Sequence, residues 1–170
     1  MSKSFPHPFS DMASRYRAFR RKAPALASGI AVNEFRGNFR RQGYRKSKSA
    51  VEKWVARKVN TGSAGRAILI KSGRLRRAIR SAPTYKEARV IINVPYAAIH
   101  NRGGELRGFE RVWATSLRSR RTTLRSNKGG AKAMMPARPF AITTPALLED
   151  ISNAVLNGLQ KEVFLNAKSE

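Results

Sequence analysis

Arg89-Val-Ile-Ile-Asn-Val94 decides the fold class. Four of its six residues, Val90, Ile91, Ile92 and Val94, are β-branched, and Pro95 stops the run, so it reads as a strand. A lone strand buries little, and its partner is sought just upstream. Pro83-Thr84 can turn the chain, which lets residues 76–82 run back as the first arm of a hairpin. A short helix competes for the same stretch: Ser72 can cap it, and Leu75 and Ile79 lie four residues apart. Arg74, Arg76, Arg77 and Arg80 fit neither period cleanly. Ahead of them, Ile68-Leu-Ile70 is a short buried run broken at Ser72-Gly73.

Outward from the strand the pattern turns helical. Leu147, Ile151, Val155, Leu159 and Val163 recur every four residues, with Thr144 placed as N-cap and Pro145 in the first turn. This predicts a helix over 145–165, about 30 Å long. Upstream, Ser10-Asp11 can start a helix over Met12–Lys22, which Pro24 should end or kink. Ala27, Ile30, Ala31, Phe35 and Phe39 form a second helical stripe, closed by Gly43 as a C-cap. Ser49-Ala-Val-Glu52 reads as a capping box opening a short helix with Val51, Trp54, Val55 and Val59 on one side. The expected fold is α+β: a small antiparallel sheet packed by N-terminal helices and a long C-terminal helix, with a projecting basic hairpin or arm. Residues 1–9 read as a disordered lead. Residues 10–170 read as a single domain with the arm inserted at 105–133.

The chain of 170 residues carries 35 Lys+Arg against 10 Asp+Glu, a net charge of +25. That is far beyond the roughly 2–8 of an ordinary small domain, and it predicts attraction to polyanions. The excess is uneven. Residues 1–60 hold 15 basic and 3 acidic groups, whereas residues 139–170 hold 2 and 4. The C-terminal segment thus has an ordinary surface balance, and the rest is strongly basic.

Several function classes weaken on composition. With no cysteine there is no disulfide framework, thiolate metal site or cysteine nucleophile. His7 and His100 cannot build a histidine-rich metal site. No apolar run approaches the length needed to cross a bilayer, and MSKSFPHPF lacks the apolar centre of a secretory signal. Phosphate-cradling, nucleophile-elbow and dinucleotide motifs are absent. Glu105 and Glu110 could in principle hold a nuclease metal, but pairing with the arginines around them is the simpler reading. His100 follows the strand and precedes Asn101-Arg-Gly-Gly104. A general base or pH switch is conceivable there, and a hydrogen-bonding turn residue is preferred. No catalytic residue, metal or cofactor is expected.

Residues 104–134 show no strong core pattern, and a structureless loop of that length argues for a function. Arg107, Arg111, Arg118, Arg120, Arg121, Arg125, Lys128 and Lys132 make this arm a candidate for DNA-proximal or subunit contact. Trp113 lies among them, open to base stacking or a subunit interface. Trp54 reads as core.

Four blocks occur in a telling order. They are Phe39-Arg-Arg-Gln-Gly43 with Trp54 downstream; Ile68-Leu-Ile-Lys-Ser-Gly-Arg-Leu75 with Ile79; Pro95-Tyr-Ala-Ala-Ile-His-Asn-Arg-Gly-Gly104; and Met135-Pro-Ala-Arg-Pro-Phe140. Together, over about residues 30–165, they resemble the tail-completion or virion-morphogenesis proteins of tailed bacteriophages, especially Mu-like phages. The resemblance implies a non-enzymatic virion protein of the neck, at the head-proximal end of the tail, made in the host cytoplasm and assembled into homo-oligomeric rings. A hexamer touching neighbouring neck and tail proteins, with non-specific DNA contact and no membrane, is the expectation. It also implies structural roles for the matched residues: Ser72, Gly73, Gly103 and Gly104 in turns, Tyr96 and His100 as anchors, Pro136 and Pro139 as rigid stops, with Leu75, Arg138 and Phe140 in the same blocks. The long N-terminus and the arginine-rich arm depart from the family pattern. The alternative is a free, sequence-independent nucleic-acid-binding protein, ribosome- or nucleoid-associated.

Overall fold

The computed structural model describes residues 8–56, 67–105 and 134–165. Helix α1 (Pro8–Arg41) runs as one element through Pro24. It does not break there because both halves are held from outside. Before the proline, Phe19 is buried against Gly158; beyond it, Ala31, Val32, Phe35 and Phe39 enter the core. Tertiary packing outweighs the lost hydrogen bond of one proline. The helix opens at Pro8, two residues ahead of the expected cap at Ser10, so Pro8 and Phe9 are helical. Of the expected disordered lead, residues 1–7 lie outside the described residues.

Gln42, not Gly43, takes the left-handed turn that ends α1, with φ 53°. Its side chain explains why a non-glycine residue is held there. The Gln42 amide donates to the Phe39 carbonyl, and its oxygen accepts from the Ile68 amide. Gly43 instead begins strand β1 (Gly43–Arg45), which pairs antiparallel with β2 (Val51–Lys53). The helix expected from the Ser49–Glu52 capping box does not form. The turn is closed by Lys46 N–H donating to the Ala50 carbonyl at 2.9 Å, and Trp54 N–H donates to the Gln42 carbonyl at 2.9 Å. The supposed apolar stripe is also split: Trp54 is buried while Val51 and Val55 are exposed. Val59 lies outside the described residues.

Both readings of the 72–82 stretch are realised in turn. Helix α2 (Arg74–Arg77) buries Leu75, and β3 (Ile79–Ser81) then pairs antiparallel with β4 (Val90–Ile92), placing Ile79 opposite Ile92. The connection tightens at Thr84–Glu87, one residue beyond the expected Pro83-Thr84 turn, through a 2.9 Å backbone bond. Next come α3 (Ala97–Arg102), β5 (Gly104–Glu105) and β6 (Met134–Met135). β5 pairs antiparallel with β6, setting Glu105 opposite Met134. Helix α4 (Pro145–Leu159) ends in a π-helical turn, Gln160–Leu165, so the predicted 145–165 helix is present with a changed last turn.

The fold is therefore α+β; among the described residues it has four α-helices and three antiparallel strand pairs rather than one sheet. One apolar cluster joins them. Phe39, Trp54, Leu75, Ile79, Val94, Ala97, Phe140 and Leu147 meet there, from α1, α2, β3, α3, α4 and the segments that follow β2, β4 and β6. Ion pairs tie α4 to the first strand pair: Arg45 bridges Glu34 of α1 and Asp150 of α4.

Candidate nucleic-acid interface

Two places gather the residues of interest. The first is a buried junction built around the stretch 135–140. Phe39 meets Trp54 edge-on at 5.7 Å and Phe140 at 5.2 Å. The backbone of this stretch is held by side chains from three elements. Trp54 Nε1 donates to the Pro139 carbonyl at 3.2 Å. Asn38 Nδ2 donates to the Phe140 carbonyl at 3.0 Å. Asn101 Oδ1 accepts from the Phe140 and Ala141 amides, each at 3.0 Å. An extended, proline-bracketed segment has no internal hydrogen bonds, so its polar groups must be met this way.

The matched blocks converge on this junction. His100 presents its carbonyl to the Arg138 amide at 2.9 Å, and Tyr96 stands edge-on to the His100 ring at 5.7 Å. Burial, and then the positive charge of Arg138, hold the His100 imidazole below its ordinary pKa of 6.5, so it favours the neutral form. Its Nδ1 has no hydrogen-bond partner among the described residues. Gly103 adopts φ 72°, and a Cβ there would come within 2.7 Å of the Ala137 nitrogen; only glycine lets α3 turn this close to the 135–140 stretch. Gly104 follows at φ 129°. Pro136 and Pro139 flank Ala137 and the buried Arg138. Ser72 Oγ accepts from the Arg74 amide at 3.3 Å, and Gly73 at φ 65° precedes α2, which buries Leu75.

The second place is electrostatic. An open cleft of about 670 Å³ is lined by Asn33, Arg36 and Arg40 of α1, Arg76 and Arg77 of α2, and Arg80 of β3. Asn33, Arg36 and Arg40 share one face of α1 at helical spacing. The packing of β3 against α1 brings the second arginine set to them, with Arg36 donating to the Ile79 carbonyl at 2.7 Å. Arg77 donates to the Ser72 carbonyl at 2.9 Å. Among the described residues, none of the five arginines is ion-paired with a carboxylate.

Six of the described carboxylates are ion-paired elsewhere. Asp11 pairs with Arg15, Glu34 with Arg41 and Arg45, and Glu87 with Arg89. Glu149, Asp150 and Glu162 pair with Lys48, Arg45 and Lys22. Glu52, opposite Tyr44 across the β1–β2 pair, raises that tyrosine's pKa above its ordinary 10.0. Glu105 has a partner too.

The cleft escaped the reading of the sequence. Its one visible signal was the failure of Arg76, Arg77 and Arg80 to follow either period, as expected of a turn between a short helix and a strand. The arm residues Arg107, Arg111, Trp113, Arg118, Arg120, Arg121, Arg125, Lys128 and Lys132 lie outside the described residues, as does Glu110. Among the described residues, no group of three or more His, Asp or Glu is placed to hold a metal ion, and no helix is long and apolar enough to cross a membrane.

No curated protein and no solved structure matches the chain. Residues 33–160, well over half of it, match the phage virion morphogenesis family. That span takes in the junction, the cleft and all of α4, and on it the chain belongs to the phage virion morphogenesis family.

Proposed function

We propose that this chain is a structural protein of the phage neck. It completes the tail and joins it to the DNA-filled head as a homo-oligomeric ring, with its basic surface toward DNA and its other faces toward neighbouring neck and tail proteins. The family supports a structural part in phage virion assembly. The observation that carries the finer reading is the separation of charge. Six described carboxylates are ion-paired elsewhere in the chain, while five clustered arginines have no carboxylate partner among the described residues. Such a surface calls for an external polyanion. In a virion the concentrated polyanion is the genome, and the neck is where it passes between head and tail. A lining for that passage is made economically by one subunit repeated through a head-to-tail contact that closes, as a hexamer does. The work is done by surfaces, without a catalytic residue or cofactor.

The test is assembly. Purified protein, alone and mixed with isolated tails, is weighed by sedimentation and imaged in negative stain, and the gene is deleted from the phage. Rings that cap tails, and unjoined heads and tails in the deletion, are expected. A monomer that ignores tails and is dispensable for joining would sink the proposal. If such a monomer still bound nucleic acid tightly, it would be a free nucleic-acid-binding protein instead.

A further inference from the structure

We propose that the cleft between α1 and the α2–β3 segment is a docking site for the sugar–phosphate backbone of double-stranded DNA. The inference rests on the neck reading above and adds to it the site at which DNA is held.

The site is built rather than incidental. Residues some forty positions apart bring five guanidinium groups to one open cleft, and like charges gathered so closely oppose folding unless something offsets them. Two of the five are pinned by the fold, Arg36 on the Ile79 carbonyl and Arg77 on the Ser72 carbonyl. Arg40, Arg76 and Arg80 are exposed and make no ion pair among the described residues. Six described carboxylates, Asp11, Glu34, Glu87, Glu149, Asp150 and Glu162, are ion-paired with cations outside the cleft. With so few carboxylates against so many cations, a polyanion is the counter-charge such a cluster favours.

The lining indicates which kind. A protein partner is anchored by aromatic or aliphatic side chains entering apolar pockets. Among the described residues this cleft is lined by five arginines and one asparagine, with no aromatic or aliphatic side chain. An enclosed small-molecule site would also be largely apolar. A guanidinium fork matches phosphate oxygens in two-point contact. Arg36 and Arg40 stand one helical turn apart, about 6 Å along the axis, so they can meet different phosphates of a densely charged duplex. Phosphate contact carries no sequence information, so the docking is sequence-independent.

The experiment measures binding of a labelled mixed-sequence duplex to the full-length protein from about 50 to 200 mM salt. The test variant is Arg40→Gln with Arg76→Gln; Arg36 and Arg77 are left in place because their backbone bonds shape the cleft. The control variant is Arg20→Gln with Arg21→Gln, the same loss of charge at exposed positions of α1 outside the cleft. The cleft variant should flatten the slope of log K against log salt by about 1 per arginine lost, and the control should leave it unchanged. Equal flattening in both, or none in the cleft variant at an unchanged melting temperature, overturns the site. So does a cleft variant that loses labelled polyglutamate but keeps its DNA slope, which would make the occupant an acidic protein segment. All three proteins are also scored for rings and tail capping. Wild-type protein that forms no ring defeats the neck reading alone, whereas intact rings with an unmoved DNA slope defeat the cleft alone.

Discussion

The Asn38 side-chain amide of α1 donates to the carbonyl of Phe140 at 3.0 Å, and both residues are at most 1% exposed. Its oxygen accepts from Arg41 at 2.9 Å. One asparagine thus couples the long helix to the extended stretch that carries the Phe39–Phe140 ring contact. Asn38→Ala leaves a buried carbonyl unpaired and removes an acceptor from Arg41. We expect a loss of about 1–3 kcal/mol, read as a lower denaturant midpoint at unchanged m-value.

Two glycine-to-alanine changes should have opposite signs. A Cβ on Gly43 would meet the Glu52 carbonyl and lie 2.9 Å from Lys53 Cα, so the β1–β2 pair must separate. Gly29 lies within α1, and a Cβ there meets nothing within 4 Å. Gly29→Ala should gain about 0.5–1 kcal/mol, whereas Gly43→Ala should destabilise the protein. Thermal melts of the two variants check the pair; a stabilised Gly43→Ala would contradict the close strand approach.

Legibility in the sequence followed the range of the interactions. The terminal helix was readable because Leu147 to Val163 repeat locally and Thr144-Pro145 mark its start. The 79–81 and 90–92 hairpin was readable because β-branched residues crowd one arm. The β1–β2 pair was not. Its cause is non-local: Gln42 ties Ile68 and Trp54 to the end of α1, and these ties outweigh a local Ser49–Glu52 capping signal. The continuity of α1 through Pro24 likewise depends on Phe19 against Gly158, some 140 residues away. The cleft was hidden for the same reason, since nothing local says that Arg76 and Arg80 will face Arg36 and Arg40.

Thr144 caps α4 from a buried position, its hydroxyl accepting from the Leu147 amide at 3.3 Å. Thr144→Ala orphans that amide beside a buried leucine and should lose about 1–2 kcal/mol. Thr144→Ser keeps the oxygen and should recover most of it. Urea titrations of the two variants decide the point. If Ala and Ser lose equally, the methyl's packing is the contribution rather than the cap.

His100 makes stability depend on pH in a definite direction. Burial and Arg138 lower its pKa in the folded chain below the 6.5 of the unfolded one. The unfolded state therefore binds the proton first, and folding loses free energy as pH falls below about 6.5. Above that value the imidazole is neutral in both states and contributes no slope. The other titratable groups are common to wild type and variant, so the difference between the two isolates the histidine. His100→Gln removes the titration while keeping a polar side chain beside Tyr96 and Arg138. Its stability should fall less steeply than wild type's as pH drops from about 6.5, and the two curves should run parallel above it. Denaturant midpoints across that range give the measurement. A wild-type curve no steeper than the variant's would mean that the folded imidazole takes its proton as readily as the unfolded one, with Arg138 too well screened to matter.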